Sequence, residues 1–326
     1  MTDLATESPD LELDQHRREL TGYCYRMLGS AFDAEDAVQE TLVRAWRGRD
    51  SFEGRASLRS WLYRIATNVS LDMLSGRQRR ALPMDLSPNA WQPVEASLGV
   101  PLHDRRWIEP ILDSRLQPEG RDPAETAVAR ESIRLAFVAA LQHLPPKQRA
   151  VLILRDVLRW KADEVADLLD ASVASVNSAL QRARTTLASN NLDADDLSDA
   201  MDAERTALLA RYVDAFERYD IDAFVALLHK DATQSMPPYQ LWLRGPDDIG
   251  RWMRGPGIGC AGSRLLPISA NGSVAYAQYK PTGQAGRRDP FAIHLVEVSA
   301  GRVGRITNFL DTSLFSLFGL PRHLAD

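Results

Sequence analysis

The length, composition and charge of the chain limit its class before any motif is read. Its 326 residues are enough for about two domains, and the 44% hydrophobic and 25% charged fractions are those of a globular protein. The net charge of -5 weighs against a chain that is basic throughout, and the absence of an apolar run of about 18 residues excludes a membrane-spanning helix. The first ten residues are acidic and lack a signal pattern, so we expect a cytoplasmic protein without a membrane partner.

The cysteines indicate which cofactor chemistry to expect. Cys24 and Cys260 lie far apart in apolar contexts, which predicts two buried free thiols and no disulfide framework. Neither cysteine belongs to a pattern with metal-ligand spacing, so we expect no metal centre and no other cofactor.

The segment DAEDAVQETLVRAWR, residues 33–47, predicts a helix. Asp33 is a candidate N-cap, and acids follow it in the first turn, where the helix dipole favours them. Val38, Leu42 and Trp46 recur every four residues and predict the buried stripe. From spacing alone, the remaining polar face is a solvated surface.

The segment from Leu58 to Arg80 predicts a second, basic helix, with apolar residues every three or four positions. From Arg44 to Arg80 the chain holds nine arginines and three acids, a local basic patch suited to phosphates. Asn68 lies one turn from Arg64 and could offer a donor and an acceptor to a base edge, although such an asparagine is more often a satisfied helix residue.

Residues 81–125 predict a linker, because prolines punctuate the segment and its acids outnumber its arginines. Trp91 and Trp107 suggest that parts of it dock on something. Helical periodicity returns over residues 126–189, and a short acidic joint follows at 190–204. We find no internal repeat.

The region around residues 162–187 predicts a helix-turn-helix. A helix from about Ala162 to Leu169 is followed by a break at Asp170, a residue that tolerates positive φ. Ser172 then caps a second helix with the predicted inner face Val173, Val176, Leu180, Ala183 and Leu187. The outer face carries hydrogen-bonding side chains and no acid, which suits phosphates and major-groove edges, whereas a plain helical hairpin is the alternative.

From residue 205 to the end, two helices give way to alternating strands, with a hairpin predicted at Asn271-Gly272. Aromatic residues in this region either fill a core or line a ligand pocket, and the two interpretations have equal weight. The candidate pocket residues are Tyr212, Phe216, Met236, Trp242, His294 and Asp311. Asp311 could equally cap a helix that starts at Ser313.

Three segments, AEDAVQETLVRAW, LRSWLYRIATN and LPPKQRAVLILRDVL with the helix-turn-helix behind it, resemble in that order the two conserved domains of bacterial RNA polymerase sigma factors. The resemblance is to the extracytoplasmic-function class and covers about residues 14–189. It implies an all-α first domain over 14–80, an all-α second domain over 126–189, and a linker that threads the core enzyme near the RNA path.

The same resemblance assigns roles to residues. The residues implied to bind the polymerase clamp are Asp36, Gln39, Glu40 and Arg44. Those implied to meet the minus-ten element, where the loop 52–58 would help to hold an extruded base, are Ser57, Arg64, Asn68, Arg77, Arg79 and Arg80. Those implied to bind the minus-thirty-five element are Lys161, Ser175, Asn177, Ser178, Gln181, Arg182 and Arg184.

Residues 205–326 resemble the SnoaL-like, or ketosteroid-isomerase-like, fold through the opening-helix pattern and the closing ITNFLD. The resemblance implies an α+β cone with a curved antiparallel sheet around a pocket. Isomerases of this fold need a carboxylate base, and TQSMPPYQLW has no acid where one is expected, so we predict no catalytic residue. The tail also resembles that of sigma factors whose attached domain contacts the sigma domains and controls them in cis.

Two other functions remain open on the residues. One is a small-molecule enzyme or ligand sensor fused to a DNA-binding module, and the other is a helix-turn-helix repressor with a ligand domain. Neither needs the polymerase-docking helix at 33–47, which favours the sigma-factor interpretation. The predicted partners are therefore core RNA polymerase, promoter DNA and, through the pocket, a small-molecule ligand.

Overall fold

The computed structural model describes residues 13–52, 57–103, 106–116, 131–189, 203–283 and 286–325. The chain divides into a helical unit, Met1–Arg80 with Asp113–Leu192, and an α+β unit, Ala81–Leu112 with Asp193–Asp326. Most of the predicted acidic joint, the end of the predicted linker from 117, the start of the second domain to 130, and loop residues 53–56 lie outside the described residues. No described helix is long and apolar enough to cross a membrane.

The helical unit consists of helices that bury aliphatic residues together with the tyrosines Tyr23, Tyr25 and Tyr63. Its helices are α1 Arg17–Leu28, α2 Ala31–Gly48, α3 Leu58–Leu74, α4 Leu135–Gln142, α5 Pro146–Leu152, α6 Ala162–Leu168 and α7 Val173–Ser189. A π-helical turn, Ile153–Val157, continues α5.

The start of α2 differs from the prediction, and the predicted buried stripe is confirmed at Val38 but is wrong at Trp46. The N-cap is Ser30, whose hydroxyl accepts from the Asp33 N–H at 3.0 Å, and Asp33 lies inside the first turn. Trp46 is 51% exposed, because the buried face is a row of small residues that lets α2 approach its neighbours closely. That row includes Ala34, Ala37 and Ala45.

The basic helix α3 is shorter than predicted. Ser57 caps it by accepting from the Ser60 N–H at 3.1 Å, and the helix ends at Leu74 rather than at Arg80. Gly76 has a φ of 68°, a left-handed conformation that cannot continue a right-handed helix. The last arginines of the predicted helix therefore lie on a separate, non-helical segment.

The helix-turn-helix prediction is confirmed in its local geometry. Asp170 has a φ of 49°, Ser172 accepts from the Ser175 N–H at 3.1 Å, and Ala166 and Val176 are buried. Val173 is 43% exposed, so its assignment to the inner face is wrong. It precedes the buried stripe because it lies in the first turn, where α7 has not yet reached the core.

The α+β unit folds around one mixed sheet in the strand order β2-β1-β6-β5-β4-β3, with β7 paired to β5. The strands are β1 Leu228–Ser235, β2 Trp242–Arg244, β3 Arg264–Ala270, β4 Ser273–Pro281, β5 Arg287–Ser299, β6 Arg302–Phe309 and β7 Leu324–Ala325. The labelled helices of this unit are α8 Ala203–Glu217, α9 Ile221–Ala226, α10 Pro246–Arg254 and α11 Ser313–Leu317.

The sheet is antiparallel except between β1 and β6, so the prediction of an antiparallel sheet is wrong for that pair. The chain leaves the β1–β2 hairpin through α10 to the opposite edge of the sheet and returns by hairpins, which leaves β6 running the same way as β1. Asn271 and Gly272 have φ values of 53° and 66°, which confirms the predicted hairpin between β3 and β4.

Residues 81–112, predicted as part of the linker, belong to the α+β unit. The Trp91 N–H donates to the Trp242 carbonyl at 2.9 Å, and the Leu102 N–H donates to the Pro238 carbonyl at 2.9 Å. Trp107 is buried, and its indole N–H donates to the Leu102 carbonyl at 3.0 Å. We call residues 81–112 the docked linker.

Candidate functional site

The predicted polymerase-binding residues lie together on the exposed face of α2. Asp36, Gln39, Glu40 and Arg44 are all exposed, and the Arg44 guanidinium donates to the Glu40 carboxylate at 2.7 Å. Sequence reasoning missed the exposed Trp46 on this helix, whose ring lies 5.5 Å from the Arg49 guanidinium. The face thus offers carboxylates, an amide and an aromatic ring to a partner.

The predicted minus-ten residues divide into an exposed group and one buried member. Arg64 and Asn68 are exposed one turn apart on α3, and Arg77 and Arg79 are exposed beyond its end. The Arg64 guanidinium donates to the Asp167 carbonyl at 2.6 Å, and Arg79 hydrogen-bonds the His143 ring at 2.6 Å. These side chains form an arginine-rich surface.

Arg80 does not belong to that surface, so its assignment to DNA contact is wrong. The side chain is buried, and its guanidinium pairs with the Asp33 carboxylate at 2.6 Å. Because a buried arginine with its carboxylate is costly to separate, Arg80 holds the segment after α3 against α2.

The predicted minus-thirty-five residues all lie on the solvent side of the helix-turn-helix. All seven of them are exposed, namely Lys161, Ser175, Asn177, Ser178, Gln181, Arg182 and Arg184. Arg184 makes two hydrogen bonds to Asp156, at 2.7 and 2.9 Å, which raise the pKa of its guanidinium. The face therefore presents amides, hydroxyls and cations, as direct base readout requires.

Buried arginine contacts, which sequence reasoning missed, join the two helical domains. The Arg149 side chain, 3% exposed, donates to the Met27 carbonyl of the first domain and to the Gln142 side-chain oxygen and the Gln142 and Leu144 carbonyls of the second. Its acceptors are all neutral, and burial lowers its pKa to about 10. The apolar setting of Arg149 in KQRAVLIL was the available signal.

An aromatic contact joins the same two domains. The Trp160 ring, on the turn before α6, packs 5.0 Å from the Tyr63 ring of α3. The Arg59 guanidinium lies over both rings, at 5.1 and 5.3 Å from their centroids. Cation–π contacts of this kind are stronger when desolvated, so this cluster adds to the interdomain packing.

A reciprocal pair of hydrogen bonds fixes the end of the docked linker. The Asn271 N–H donates to the Ile111 carbonyl at 3.0 Å, and the Ile111 N–H donates to the Asn271 side-chain oxygen at 3.0 Å. Asn271 is fully buried at the β3–β4 hairpin. The prediction of a linker did not include this anchor, because backbone donors leave no trace in the sequence pattern.

The α+β unit contains a cavity of about 280 Å³ between the sheet and its helices. The lining residues are Leu98, Tyr212, Phe216, Phe224, Gln234, Met236, Tyr239, Trp252, Met253, Pro256, Gly257, Gly259, Cys260, Gln278, Lys280, Phe291, His294, Ile306, Asn308 and Leu310. Four predicted pocket residues are among them, namely Tyr212, Phe216, Met236 and His294.

Trp242 and Asp311 do not line this cavity, so the prediction is wrong for both. Trp242 is buried in β2, and its indole N–H donates to the Ser87 carbonyl of the docked linker at 3.1 Å. Asp311 is exposed, and its carboxylate accepts from the Ser313 N–H at 2.9 Å at the start of α11. Asp311 therefore binds the first amide of α11, one residue before the N-cap Thr312.

Hydrogen bonds fix the polar groups on one wall of the cavity. The Gln278 side-chain nitrogen donates to the Ser263 hydroxyl at 2.9 Å, which points the Gln278 oxygen at His294 Nε2, 2.7 Å away. His294 Nε2 therefore carries the proton, and Nδ1 faces the Tyr212 hydroxyl at 3.4 Å. Burial lowers the pKa of His294 to about 3, so the ring is neutral at physiological pH.

Asn308 supplies a further polar group on this wall. Its side chain is 8% exposed, and its Oδ1 has no hydrogen-bond partner. Across the part of the cavity wall that the structure describes, Lys280 is the single cation and no carboxylate is present.

The thiols and possible metal ligands add no second centre within the described ranges. Cys24 is buried, and burial raises its pKa to about 12, whereas Cys260 is only half-buried at the cavity wall. Between residues 13 and 325, leaving out the gaps, no group of three or more metal-binding side chains comes together.

Three family models match the chain, one for each of the two helical domains and one for the C-terminal part of the α+β unit. They are Sigma-70 region 2 over residues 13–80, Sigma-70 region 4 over 134–187 and the SnoaL-like domain over 209–309.

Curated sigma factors are similar to almost the whole chain. The ECF RNA polymerase sigma factor SigG of Mycobacterium tuberculosis (strain CDC 1551 / Oshkosh) is 47% identical over 95% of this chain and 83% of its own. The ECF sigma factor SigJ of M. tuberculosis (strain ATCC 25618 / H37Rv) is 27% identical over 94% of this chain and 92% of its own.

The crystal structure of M. tuberculosis SigJ is similar in fold, with a TM-score of 0.58 and 23% identity over 95% of this chain and 98% of that chain. The two sigma regions follow each other in family order, and a curated relative is 47% identical over 95% of this chain. The chain therefore belongs to the extracytoplasmic-function (ECF) family of RNA polymerase sigma factors and carries a SnoaL-like domain behind its sigma regions.

Proposed function

We propose that this sigma factor binds core RNA polymerase through α2 in the cytoplasm and directs it to a promoter. In this proposal α3 contacts the minus-ten element and α7 reads the minus-thirty-five element. The observation that carries it is the outer face of α7, where exposed amides and cations stand on a capped helix-turn-helix without any acid.

Promoter binding requires the two helical domains to separate. The two elements lie about 25 base pairs apart, or about 85 Å along B-form DNA at about 3.4 Å per base pair. In the helical unit, however, Arg64 of α3 is hydrogen-bonded to the Asp167 carbonyl of α6. The packed unit is therefore the form of the free protein, and binding to polymerase and DNA replaces the contacts of Arg64 and Trp160.

Gln181→Ala is expected to weaken holoenzyme binding to the minus-thirty-five element by about 5- to 150-fold, because one bidentate base contact is worth about 1–3 kcal/mol. Fluorescence anisotropy on a cognate and a scrambled element measures it. Thr185→Ala is the matched control, because its hydroxyl is already bonded to the Gln181 carbonyl at 3.0 Å. Equal loss on both elements would show that Gln181 does not read bases.

The C-terminal domain acts in cis in this proposal, by holding the docked linker. A linker that must thread the polymerase is not available while its amides are bonded to the domain, at Trp242, Pro238 and Asn271. The tethered domain restrains initiation at a high effective concentration, so modest contacts suffice.

Asn271→Gly tests this restraint in the full chain. Glycine keeps the positive φ of the hairpin but removes the acceptor for the Ile111 N–H, so run-off transcription is expected to rise about 2- to 10-fold. Ala300→Gly is the control, because it also places glycine at a positive φ in a hairpin turn, here between β5 and β6. Unchanged or lower transcription with Asn271→Gly would contradict the restraint.

The SnoaL-like cavity acts as a binding module in this proposal and does not catalyse a reaction. Proton abstraction by a carboxylate is not supported, because none lines the described cavity wall. His294 is an unsuitable base, since both of its nitrogens are engaged and its pKa of about 3 leaves little affinity for a proton.

A further inference from the structure

We infer that the SnoaL-like cavity is a site for a small, planar, weakly acidic aromatic molecule, and that its occupancy stabilises the docked linker. The inference rests on the proposed restraint of initiation by that linker and names the ligand class that controls it. Three features of the cavity support this ligand class and its coupling to the linker: its polar groups, its aromatic walls and the presence of a linker residue in the wall.

The polar groups define what the ligand must offer. Asn308 Oδ1 is a buried acceptor without a partner, and leaving such an atom unpaired is unfavourable, so the ligand supplies a hydrogen-bond donor there. Lys280 lines the cavity with its ammonium 4.8 Å from the Phe291 ring centroid, and it suits an anionic group on the ligand.

The size and the walls define the rest of the ligand. A volume of about 280 Å³ lies just below the roughly 300–1,000 Å³ found for ligand sites, which suits a molecule of one or two rings. Tyr212, Phe216 and Trp252 contribute aromatic side chains to the wall against which such rings can pack. A fused-ring hydroxy acid fits all of these demands.

The cavity and the docked linker share structural elements. Leu98 of the linker lines the cavity and packs against the core of the domain. Pro238, which accepts from the Leu102 N–H, lies between the lining residues Met236 and Tyr239. A ligand that touches Leu98 gains contacts only while the linker is docked, so binding and docking reinforce each other by the same factor.

The test uses the full-length protein and 6-hydroxy-2-naphthoate as the probe, with binding followed by probe fluorescence. Leu98→Ala is expected to weaken binding about 3- to 10-fold through lost apolar contact, and Val100→Ala, 73% exposed in the same segment, is its control. Asn308→Ala is expected to weaken binding about 5- to 10-fold through the lost acceptor. Naphthalene-2-carboxylate, which lacks the hydroxyl, should bind the wild type and Asn308→Ala equally.

Hydrogen exchange measures the coupling. The bound probe is expected to slow exchange of the Trp91 and Leu102 amides in the wild type and to have less effect in Leu98→Ala. Absence of saturable binding, or binding indifferent to Asn308→Ala, would overturn the ligand site. Full affinity in Leu98→Ala with unchanged amide exchange would overturn the coupling. These readouts need no polymerase, so they fail or succeed separately from the proposed transcription function.

Discussion

Arg149→Met is expected to destabilise the helical unit by about 3–5 kcal/mol, because it removes the donors that satisfy several buried oxygens. Methionine fills a similar volume but leaves the Met27, Gln142 and Leu144 carbonyls unpaired away from water. Since Met27 and Leu144 belong to different domains, the loss also loosens their packing. Urea titration with hydrogen-exchange mass spectrometry of the α1 and α5 peptides measures the change within this unit.

Two further variants separate charge from geometry at this position. Arg149→Lys keeps a cation but has no planar fork, so we expect a loss about half as large. Arg47→Ala, at an exposed position of α2, should change the stability by less than about 0.5 kcal/mol. A loss below about 1 kcal/mol for Arg149→Met would mean that water or neighbouring groups satisfy these oxygens.

Reversal of two charges on α2, Asp36→Lys with Glu40→Lys, is expected to weaken binding to core RNA polymerase by at least about 100-fold. A polymerase surface that complements these carboxylates is basic, so the lysines would face like charges, which is unfavourable by several kcal/mol. Both side chains are exposed on one face, so the fold has no need of them. Run-off transcription should fall in proportion. Titration of labelled protein with core enzyme measures the affinity directly.

The matched control reverses two charges outside the sigma domains. Asp214→Lys with Asp222→Lys changes the net charge equally and also breaks exposed ion pairs, to Arg218 and Arg254, as the test variant breaks the pair of Glu40 with Arg44. If the α2 variant still binds polymerase and the control variant does not, the polymerase contact lies elsewhere. Polymerase binding that is present in the wild type and lost in the α2 variant is the result that a sigma factor predicts, because a repressor would bind DNA without it.

Local signals in the sequence predicted the elements well, because they act over one or two turns. The capping role of Ser172, the positive φ at Asp170 and the Asn271-Gly272 hairpin each depend on a single residue type and its neighbours. The exposed faces of α2 and α7 follow from helical periodicity in the same way.

Burial of individual side chains was harder to predict, because it depends on what packs against the helix. Trp46 looks like a core residue by spacing, yet α2 approaches its neighbours through alanines and leaves the ring outside. Arg80 looks like a DNA contact by composition, yet Gly76 ends α3 and turns the arginine toward Asp33.

The sequence prediction differs most from the structure at the docked linker and the cavity. The linker docks through backbone amides and through Asn271, and no periodic pattern records such bonds between residues 160 positions apart. Leu98 in the cavity wall was missed for the same reason, although the aromatic set around Tyr212 was recognised from the sequence.

The stacking of Arg59 on Tyr63 and Trp160 has a consequence for how this factor competes in the cell. Under the proposed opening, only the separated fraction of molecules can bind core enzyme at any moment, and the apparent dissociation constant rises by the inverse of that fraction. Each additional 1.4 kcal/mol or so of packing free energy between the two helical domains raises about tenfold the polymerase concentration at which half of this sigma factor is bound. Under that opening, the strength of this aromatic cluster sets how scarce free polymerase can become before this factor loses its share.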